Sequence, residues 1–356
     1  MGTETTLDRG LSTGLLSAVL APLTEGITVT LIDRSPVGTG QMADSFRLHL
    51  TYAQVCNGPT SIIAKVPSLS ESSRAASRLT RCYELETKFY SDLRDSVDVR
   101  VPQCFYVSYD AAEDDFMLLL EDLAPAQQGD QLAGCSLDHA VAAVSELTRL
   151  HGPLWNDSTL DTKSWLSRQT LESTRGTAAL FQHFYPGFCD RYSDRIDSEI
   201  IDLGARFVAQ ADRYFAAAPI TSTVVHRDYR LDNLLFSGNG IDSTVAVVDW
   251  QTVGRAPGVS DLSYFVGSGL VVNDRREHEQ YLVREYQRGL RTYGIETDFD
   301  DLWSQYRLYA FSGFGMAIAA SMLVNQTDRG DEMFIAMASR HGQQALDLES
   351  ELLFKA

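Results

Sequence analysis

Between residues 27 and 66 the chain alternates apolar and polar side chains with a period of two. "ITVTLID" does so, "SFRLHLTYAQV" repeats it and "SIIAKV" is a short β-rich run, while "SPVGTGQMAD" and "NGPT" between them carry turn residues. Three strands joined by such short connections form an antiparallel meander. The period then lengthens. Leu79, Tyr83, Glu86 and Tyr90 recur at steps of three and four, which predicts one helix over about residues 70–93. "QCFYVSYD" and "DFMLLLEDL" restore the strand pattern on either side of the acidic turn "AAEDD". The first expected domain, residues 1–122, is therefore five strands and one helix.

"EDLAPAQQGDQLAG" is rich in Gly, Gln and Pro and suits a connector, placed at residues 123–130. Helical periodicity governs the second expected domain, residues 131–356. "SLDHAVAAVSELTRLHG" is an amphipathic helix closed by Gly152, and further helices are expected at about 196–217, 276–293, 300–325 and 330–354. Only "TVVHRD", "NLLF" and "STVAVVDW" interrupt them as short strands. The pattern is that of an α+β protein in two lobes, a small antiparallel β-sheet lobe with one helix and a larger, mainly helical one.

Composition narrows the functions. With 356 residues, 44% of them hydrophobic, the chain can bury a sizeable core. Its nearest approach to a membrane span, residues 308–324, is rich in Gly, Ala and Ser and reads as a packed interior helix. Glu4 and Asp8 precede the short apolar patch near residues 15–23, so no export signal is expected. Five widely spaced cysteines without a C-x-x-C pair fit free thiols in a reducing, cytoplasmic setting. A net charge of −18 opposes a nucleic-acid partner, and no membrane partner is expected either.

Against this background "VVHRDYRLDNLLF", residues 224–236, crowds a histidine, two arginines, two aspartates and an asparagine between apolar segments. Asp228 and Asn233 stand five residues apart, a spacing at which a short loop aims a carboxylate at a hydroxyl nucleophile and an amide oxygen at a magnesium ion. Sixteen residues beyond Asn233, after the apolar "VAVV", Asp249 offers a second hard-oxygen ligand at a strand end. Upstream, the backbone of Gly38, Thr39, Gly40 and Gln41 can close over phosphates. Lys65 in "IIAKV" would contact the α- and β-phosphates, and Glu86 on the following helix would hold it by an ion pair. A D-x-x-x-x-N match is common by chance, and a strand lysine commonly faces solvent. The ordered set is more specific and predicts transfer of the γ-phosphoryl group of ATP, with Mg²⁺, to a hydroxyl of a small molecule. A protein kinase would show D-F-G and a later A-P-E, whereas Asp249 is followed by "WQTVGRAPGVSD". The alternative is a catalytically silent nucleotide-binding module, which typically lacks one of the lysine, base or metal ligands.

"VVHRDYRLDNLLF" with "VAVVDWQTVGRAPGVSDLSYF" resembles the aminoglycoside phosphotransferase and choline kinase-like superfamily, whose pattern is H-G-D-x-x-x-x-N followed by a D-W strand end. "PVGTGQMADSFRL", "ELETKFY", "LLLEDLAP" and "LHGPLWND" resemble its ecdysteroid kinase-like branch, so the likeness runs from about Val37 to Phe265. The resemblance implies a protein-kinase-like fold with Asp228 as catalytic base, Asn233 and Asp249 on magnesium, and Lys65 with Glu86 on the phosphates. It also implies that the backbone of Glu121 and Leu123 grips adenine, with His226 and Asp261 as supports. For His226 the residues themselves favour a structural role, satisfying backbone groups ahead of the loop. Two positions depart from the pattern: Arg227 replaces the usual Gly, and Ala43 and Asp44 stand where the hairpin would have its third glycine. The aromatic-rich "FQHFYPGFCDRYSDR" and "RLYAFSGFGM" are candidate acceptor walls or, equally, helix-packing core.

Overall fold

A computed structural model describes residues 10–38, 42–166, 170–219, 221–238 and 240–354. The chain forms two compact units, residues 1–92 with 102–124, and residues 93–101 with 125–356.

The first unit comprises α1 (Thr13–Thr24), β1 (Val29–Pro36), β2 (Ala43–Tyr52), β3 (Ser61–Pro67), α2 (Glu71–Thr80), α3 (Cys82–Lys88), β4 (Cys104–Asp110) and β5 (Asp115–Glu121). Its antiparallel sheet runs β1-β2-β3-β5-β4, so the first three strands are the expected meander. Alternation sorts the side chains of β3: Ile62, Ala64 and Val66 are buried, while Lys65 belongs to the opposite set. Ile62 and Ala64 pack with Leu48, Leu50 and Leu119 against Leu16 and Leu20 of α1. Burying each of those two leucines contributes about 1.5–3 kcal/mol.

Helix α1 was not expected. The patch at residues 15–23 is short and contains Pro22, yet Ser12 caps it by accepting the Leu15 N–H at 3.1 Å, and its apolar face meets the sheet. The helix expected over 70–93 is also broken. Arg81 adopts φ 59° and separates α2 from α3, and a π-helical turn, Phe89–Leu93, follows. The break takes Leu79 out of phase with Tyr83, Glu86 and Tyr90. Those three are buried, whereas Leu79 is 74% exposed.

The second unit holds β6 (Gln127–Gln128), α4 (Leu137–His151), α5 (Leu171–Tyr192), α6 (Ser198–Ala209), α7 (Ala211–Ala216), β7 (Thr223–Val225), β8 (Leu234–Ser237), β9 (Thr244–Val247) and β10 (Gly254–Ala256). It continues with α8 (Val259–Gly269), α9 (Val272–Arg291), α10 (Phe299–Leu308), α11 (Phe311–Leu323) and α12 (Asp328–Asp347). Two small sheets, β6-β8-β9 and β10-β7, contain the three expected short strands and the unforeseen β6 and β10. The pattern at 300–325 is two helices, α10 and α11, and that at 196–217 is α6 and α7. Helix α5 carries Pro186 in its interior, a residue that weakens any helical reading, and α8 is too uniformly buried to show an amphipathic stripe. No helix among the described residues is long and apolar enough to cross a membrane, and all five cysteines are free.

His341 of α12 is fully buried, and a Cβ at Gly267 of α8 or Gly313 of α11 would overlap its imidazole. Burial pushes its pKa down to about 4, against Gln344, which hydrogen-bonds the ring. The unfolded chain therefore binds a proton below about pH 6.5 that the folded chain refuses until about pH 4. Stability from this group is complete above the unfolded value and falls as the pH drops through that window, by about 2 kcal/mol at pH 5. Urea unfolding at pH 7 and pH 5 should show the loss, and His341→Gln should remove that part of it.

Candidate active site

In the first unit, strand pairing sets Lys65 opposite Ser45 of β2 and Leu118 of β5. From β3 its ammonium reaches Glu86 of α3, with Nζ 2.9 Å from Oε1 and 2.7 Å from Oε2. The Glu86 side chain is 2% exposed and that of Lys65 13%, so the pair is largely withdrawn from water. An isolated buried carboxylate is costly, and its position here is sustained by the cation.

The hairpin before β2 begins where the Val37 N–H donates to Ser45 O at 3.0 Å, and Gly38 takes the left-handed φ of 79° that favours glycine. Thr39, Gly40 and Gln41, the other expected phosphate contacts, lie outside the described residues. Asp44, at the position of the missing third glycine, ties the hairpin to the turn after β3. Its Oδ2 accepts the Leu69 N–H at 3.0 Å and its Oδ1 the Ser68 hydroxyl at 3.4 Å.

Glu121 ends β5, and its N–H donates to Gln103 O at 2.8 Å while its carboxylate accepts the Gln103 N–H at 3.0 Å. Leu123 follows in a turn pinned by Asp122. That carboxylate accepts from Arg47 Nε at 2.6 Å, the Ser61 hydroxyl at 2.6 Å and the Ala124 N–H at 3.1 Å. Burial alone would raise the Asp122 pKa, but these donors outweigh it and hold it below the usual carboxylate value. No motif or spacing announces this clamp.

In the second unit, β7 leads directly into the His226-Arg227-Asp228 loop. Asp261, in the first turn of α8 and 1% exposed, takes two successive backbone donors of that loop: the His226 N–H on Oδ2 at 2.6 Å and the Arg227 N–H on Oδ1 at 2.9 Å. His151 Nε2 lies 3.4 Å from the same Oδ2. His226, fully buried, accepts the Asp228 N–H on Nδ1 at 3.3 Å and sets Nε2 3.0 Å from Val248 O. A neutral ring with its proton on Nε2 satisfies both contacts, so His226 ties backbone to backbone.

The Asp228 carboxylate is held on three sides. Tyr264 donates its hydroxyl to Oδ1 at 2.8 Å, while Arg230 Nε and Asn233 Nδ2 approach Oδ2 at 3.1 and 3.0 Å. Asn233 Nδ2 also reaches Asp228 O at 2.9 Å. Arg230 extends to Asp232 Oδ2 at 2.6 Å, and Arg329 of α12 meets Asp232 Oδ1 at 3.3 Å. Burial works against the charge of Arg230, but Asp228, Tyr264 and Asp232 together raise its pKa.

Arg227 has a φ of 66°, a left-handed conformation that costs a non-glycine residue about 1 kcal/mol or more. Its guanidinium donates to Arg255 O at 3.2 Å and lies where a Cβ at Gly254 would stand. Gly254→Ala should therefore destabilise the second unit by about 1–3 kcal/mol. Arg227→Gly should be tolerated, since the backbone donor to Asp261 remains, and in the double variant most of the Gly254→Ala penalty should vanish. Urea denaturation of the four proteins measures this coupling.

Asp249 also has a left-handed φ, of 69°, and its Oδ2 accepts Gln251 Nε2 at 2.7 Å. Val248 N–H donates to Asn233 O at 3.0 Å, so the backbone leading to Asp249 is tied to the residue proposed beside it. With Nδ2 committed to Asp228, the Asn233 amide presents its oxygen elsewhere. One carboxylate and one amide oxygen fit a magnesium ion that keeps water and phosphate oxygens as its remaining ligands. Among the described residues, no group of three or more His, Cys, Asp or Glu side chains has a metal-site arrangement.

The aromatic stretches resolve as packing. Phe181, Phe188 and Tyr192 of α5 are buried with Phe311 and Phe314 of α11, and the Phe188 and Phe314 rings stand 6.2 Å apart. Asp261 and Tyr264 of α8 and Arg329 of α12 reach the loop instead. Tyr264 was not foreseen, although its place one helical turn beyond Asp261 puts both on one face.

A five-stranded antiparallel sheet with a helix-held lysine, and a helical unit carrying the Asp228 loop, define the protein-kinase-like phosphotransferase fold. The chain is similar in structure to choline kinase from Cryptosporidium parvum, with 11% identity, 96% of each chain covered and a TM-score of 0.60. It is similar to the GDP complex of wild-type aminoglycoside 2'-phosphotransferase-IIIa, with 12% identity, 93% of this chain and 99% of that one covered, and a TM-score of 0.57. Plasmodium vivax ethanolamine kinase is similar at 11% identity, 87% and 81% coverage and a TM-score of 0.54. At such identities the likeness is one of fold. In sequence, the ecdysteroid kinase-like family matches residues 38–295, and the chain belongs to that family. The match extends through α9, beyond the resemblance seen at residues 37–265. No curated protein matches the chain in sequence.

Proposed function

We propose that the protein is a small-molecule kinase that moves the γ-phosphoryl group of ATP, in the presence of Mg²⁺, to a hydroxyl of its acceptor. The observation that carries this reading is the Asp228 carboxylate, oriented by Tyr264, Arg230 and Asn233 on a loop whose backbone Asp261 holds. Asp228 orients the acceptor hydroxyl and takes its proton. Asn233 and Asp249 hold the metal, which when bound neutralises charge on the phosphoryl oxygens. Lys65, kept in place by Glu86, contacts the α- and β-phosphates, and the Gly38 amide helps to cover them. The backbone of Glu121 and Leu123 receives adenine. Because the transition state of phosphoryl transfer is loose, positioning contributes more than the strength of the base.

The three neighbours named above suggest an acceptor panel of choline, ethanolamine and aminoglycosides. ADP release with MgATP and each of these, together with MgADP affinity, tests the reading. Lys65→Ala and Asp249→Ala should each weaken MgADP binding by about tenfold or more. Unchanged affinity in both variants would remove the proposed nucleotide roles. Tight MgADP binding without ADP release in any arm would favour the silent nucleotide-binding module.

A further inference from the structure

An ionised carboxylate offers about four lone-pair sites, two on each oxygen. On Asp228, Oδ2 receives two donors, Arg230 Nε at 3.1 Å and Asn233 Nδ2 at 3.0 Å. Oδ1 receives one, the Tyr264 hydroxyl at 2.8 Å. Among the described residues one site is left, and it lies on Oδ1. We infer that Oδ1 of Asp228 is the atom that receives the acceptor's proton, and that Tyr264 is the positioning residue that leaves a single open direction on it. The inference rests on the kinase reading above and assigns, within that reading, an atom and a further residue.

The surroundings of Tyr264 suit a fixed orienting group. The residue is 2% exposed, and its ring centroid lies 5.6 Å from that of the buried His341. It stands one turn after Asp261 on α8, so a single helix fixes both the backbone of the loop, through Asp261, and the rotation of the Asp228 carboxylate, through Tyr264. The Asp228 side chain is the more open partner, 16% exposed. Burial, and then the charge of Asp228, push the Tyr264 pKa far up, so its hydroxyl keeps its proton and acts only as a donor to Oδ1. In the transfer step the acceptor oxygen bonds to the γ-phosphorus as the bond from that phosphorus to the β–γ bridging oxygen breaks. ADP leaves with the electron pair, and the acceptor's proton ends on Oδ1.

Without the Tyr264 hydroxyl, Oδ1 has two open directions and the carboxylate is free to rotate. A bound alcohol, fixed by its own contacts, is then misaligned in part of the population, while water, which has no such contacts, follows either direction. Tyr264→Phe is measured with MgATP in two arms, with water as the only acceptor and with the panel alcohol that the wild-type protein phosphorylates fastest. Thermal unfolding is followed in parallel. The expected result is an unchanged KM for ATP, a kcat for transfer to the alcohol lower by about tenfold or more, and a transfer-to-hydrolysis ratio shifted toward hydrolysis. Tyr264→Met, which also removes the hydroxyl, replaces it should the phenylalanine variant not fold. A kcat and ratio equal to wild type would overturn the inference, as would a fall in both activities in parallel with the melting temperature at a constant ratio. If the wild-type protein releases no ADP in either arm, the kinase reading itself fails; an active wild type with an unaffected Tyr264 variant rejects only the role given to Tyr264.

Discussion

Replacing Asp228 with alanine lowers phosphoryl transfer by about 10²–10⁴-fold, while the affinity for MgADP changes far less. The separation follows from the contacts. Asp228 binds donors of its own loop and of α8, and the two residues proposed on the metal are Asn233 and Asp249, so nucleotide affinity has little dependence on it. Turnover depends on it twice, because it orients the acceptor hydroxyl and takes the proton. Asparagine is no milder. Its amide can turn its oxygen to Arg230 Nε and Asn233 Nδ2 and its NH₂ to the Tyr264 hydroxyl, which can accept, but an amide takes no proton from the acceptor. Single-turnover assays with labelled ATP, alongside MgADP titration, distinguish the two effects. Equal losses in binding and turnover would contradict the assignment.

The second large effect is on folding as well as activity. Asp261→Ala should destabilise the second unit by about 3–5 kcal/mol, because it strands the buried N–H of His226 and that of Arg227 and removes the carboxylate beside His151 Nε2. The Arg227 φ of 66° is unfavourable on its own and depends on these contacts, so the loop should relax and the remaining folded protein should turn over at least tenfold more slowly. Asp261→Asn retains one carbonyl acceptor but sets its NH₂ against a backbone donor, and should recover only part of the loss. Urea unfolding monitored by tryptophan fluorescence reads the stability; Trp250, buried against His226 with ring centroids 4.8 Å apart, reports on the loop directly.

Local periodicity made the sheet of the first unit legible, because its strands alternate and are separated by strong turn residues. Lys65 and Glu86 could be paired in advance because one sits on a strand and the other on the next helix, and opposite charges at such positions have few other uses. The break at Arg81 left no sign, since a left-handed residue is announced by glycine and not by arginine. Arg227 shows the same effect in the loop. There the family pattern has glycine, and the structure keeps the left-handed backbone while filling it with a side chain that Gly254 makes room for. Helices α1 and α5 were hidden by Pro22 and Pro186, whose helical cost is outweighed by tertiary burial of the surrounding apolar residues. The aromatic stretches read as readily as pocket walls or as core, and only the ring-to-ring packing of α5 and α11 distinguishes them. Tyr264 and Arg230 stood in plain sight as residue types, but their convergence on one carboxylate depends on how α8 meets the loop, which no spacing rule encodes.

Phosphorus NMR of the 356-residue protein with MgATP and the acceptor panel follows the phosphoryl group itself. A new phosphomonoester resonance, growing in proportion to ADP, lost without Mg²⁺ and absent from the Asp228→Ala protein, is the predicted result. Bound MgATP that persists unchanged with every hydroxyl acceptor, or a phosphomonoester formed equally well by Asp228→Ala, would contradict it.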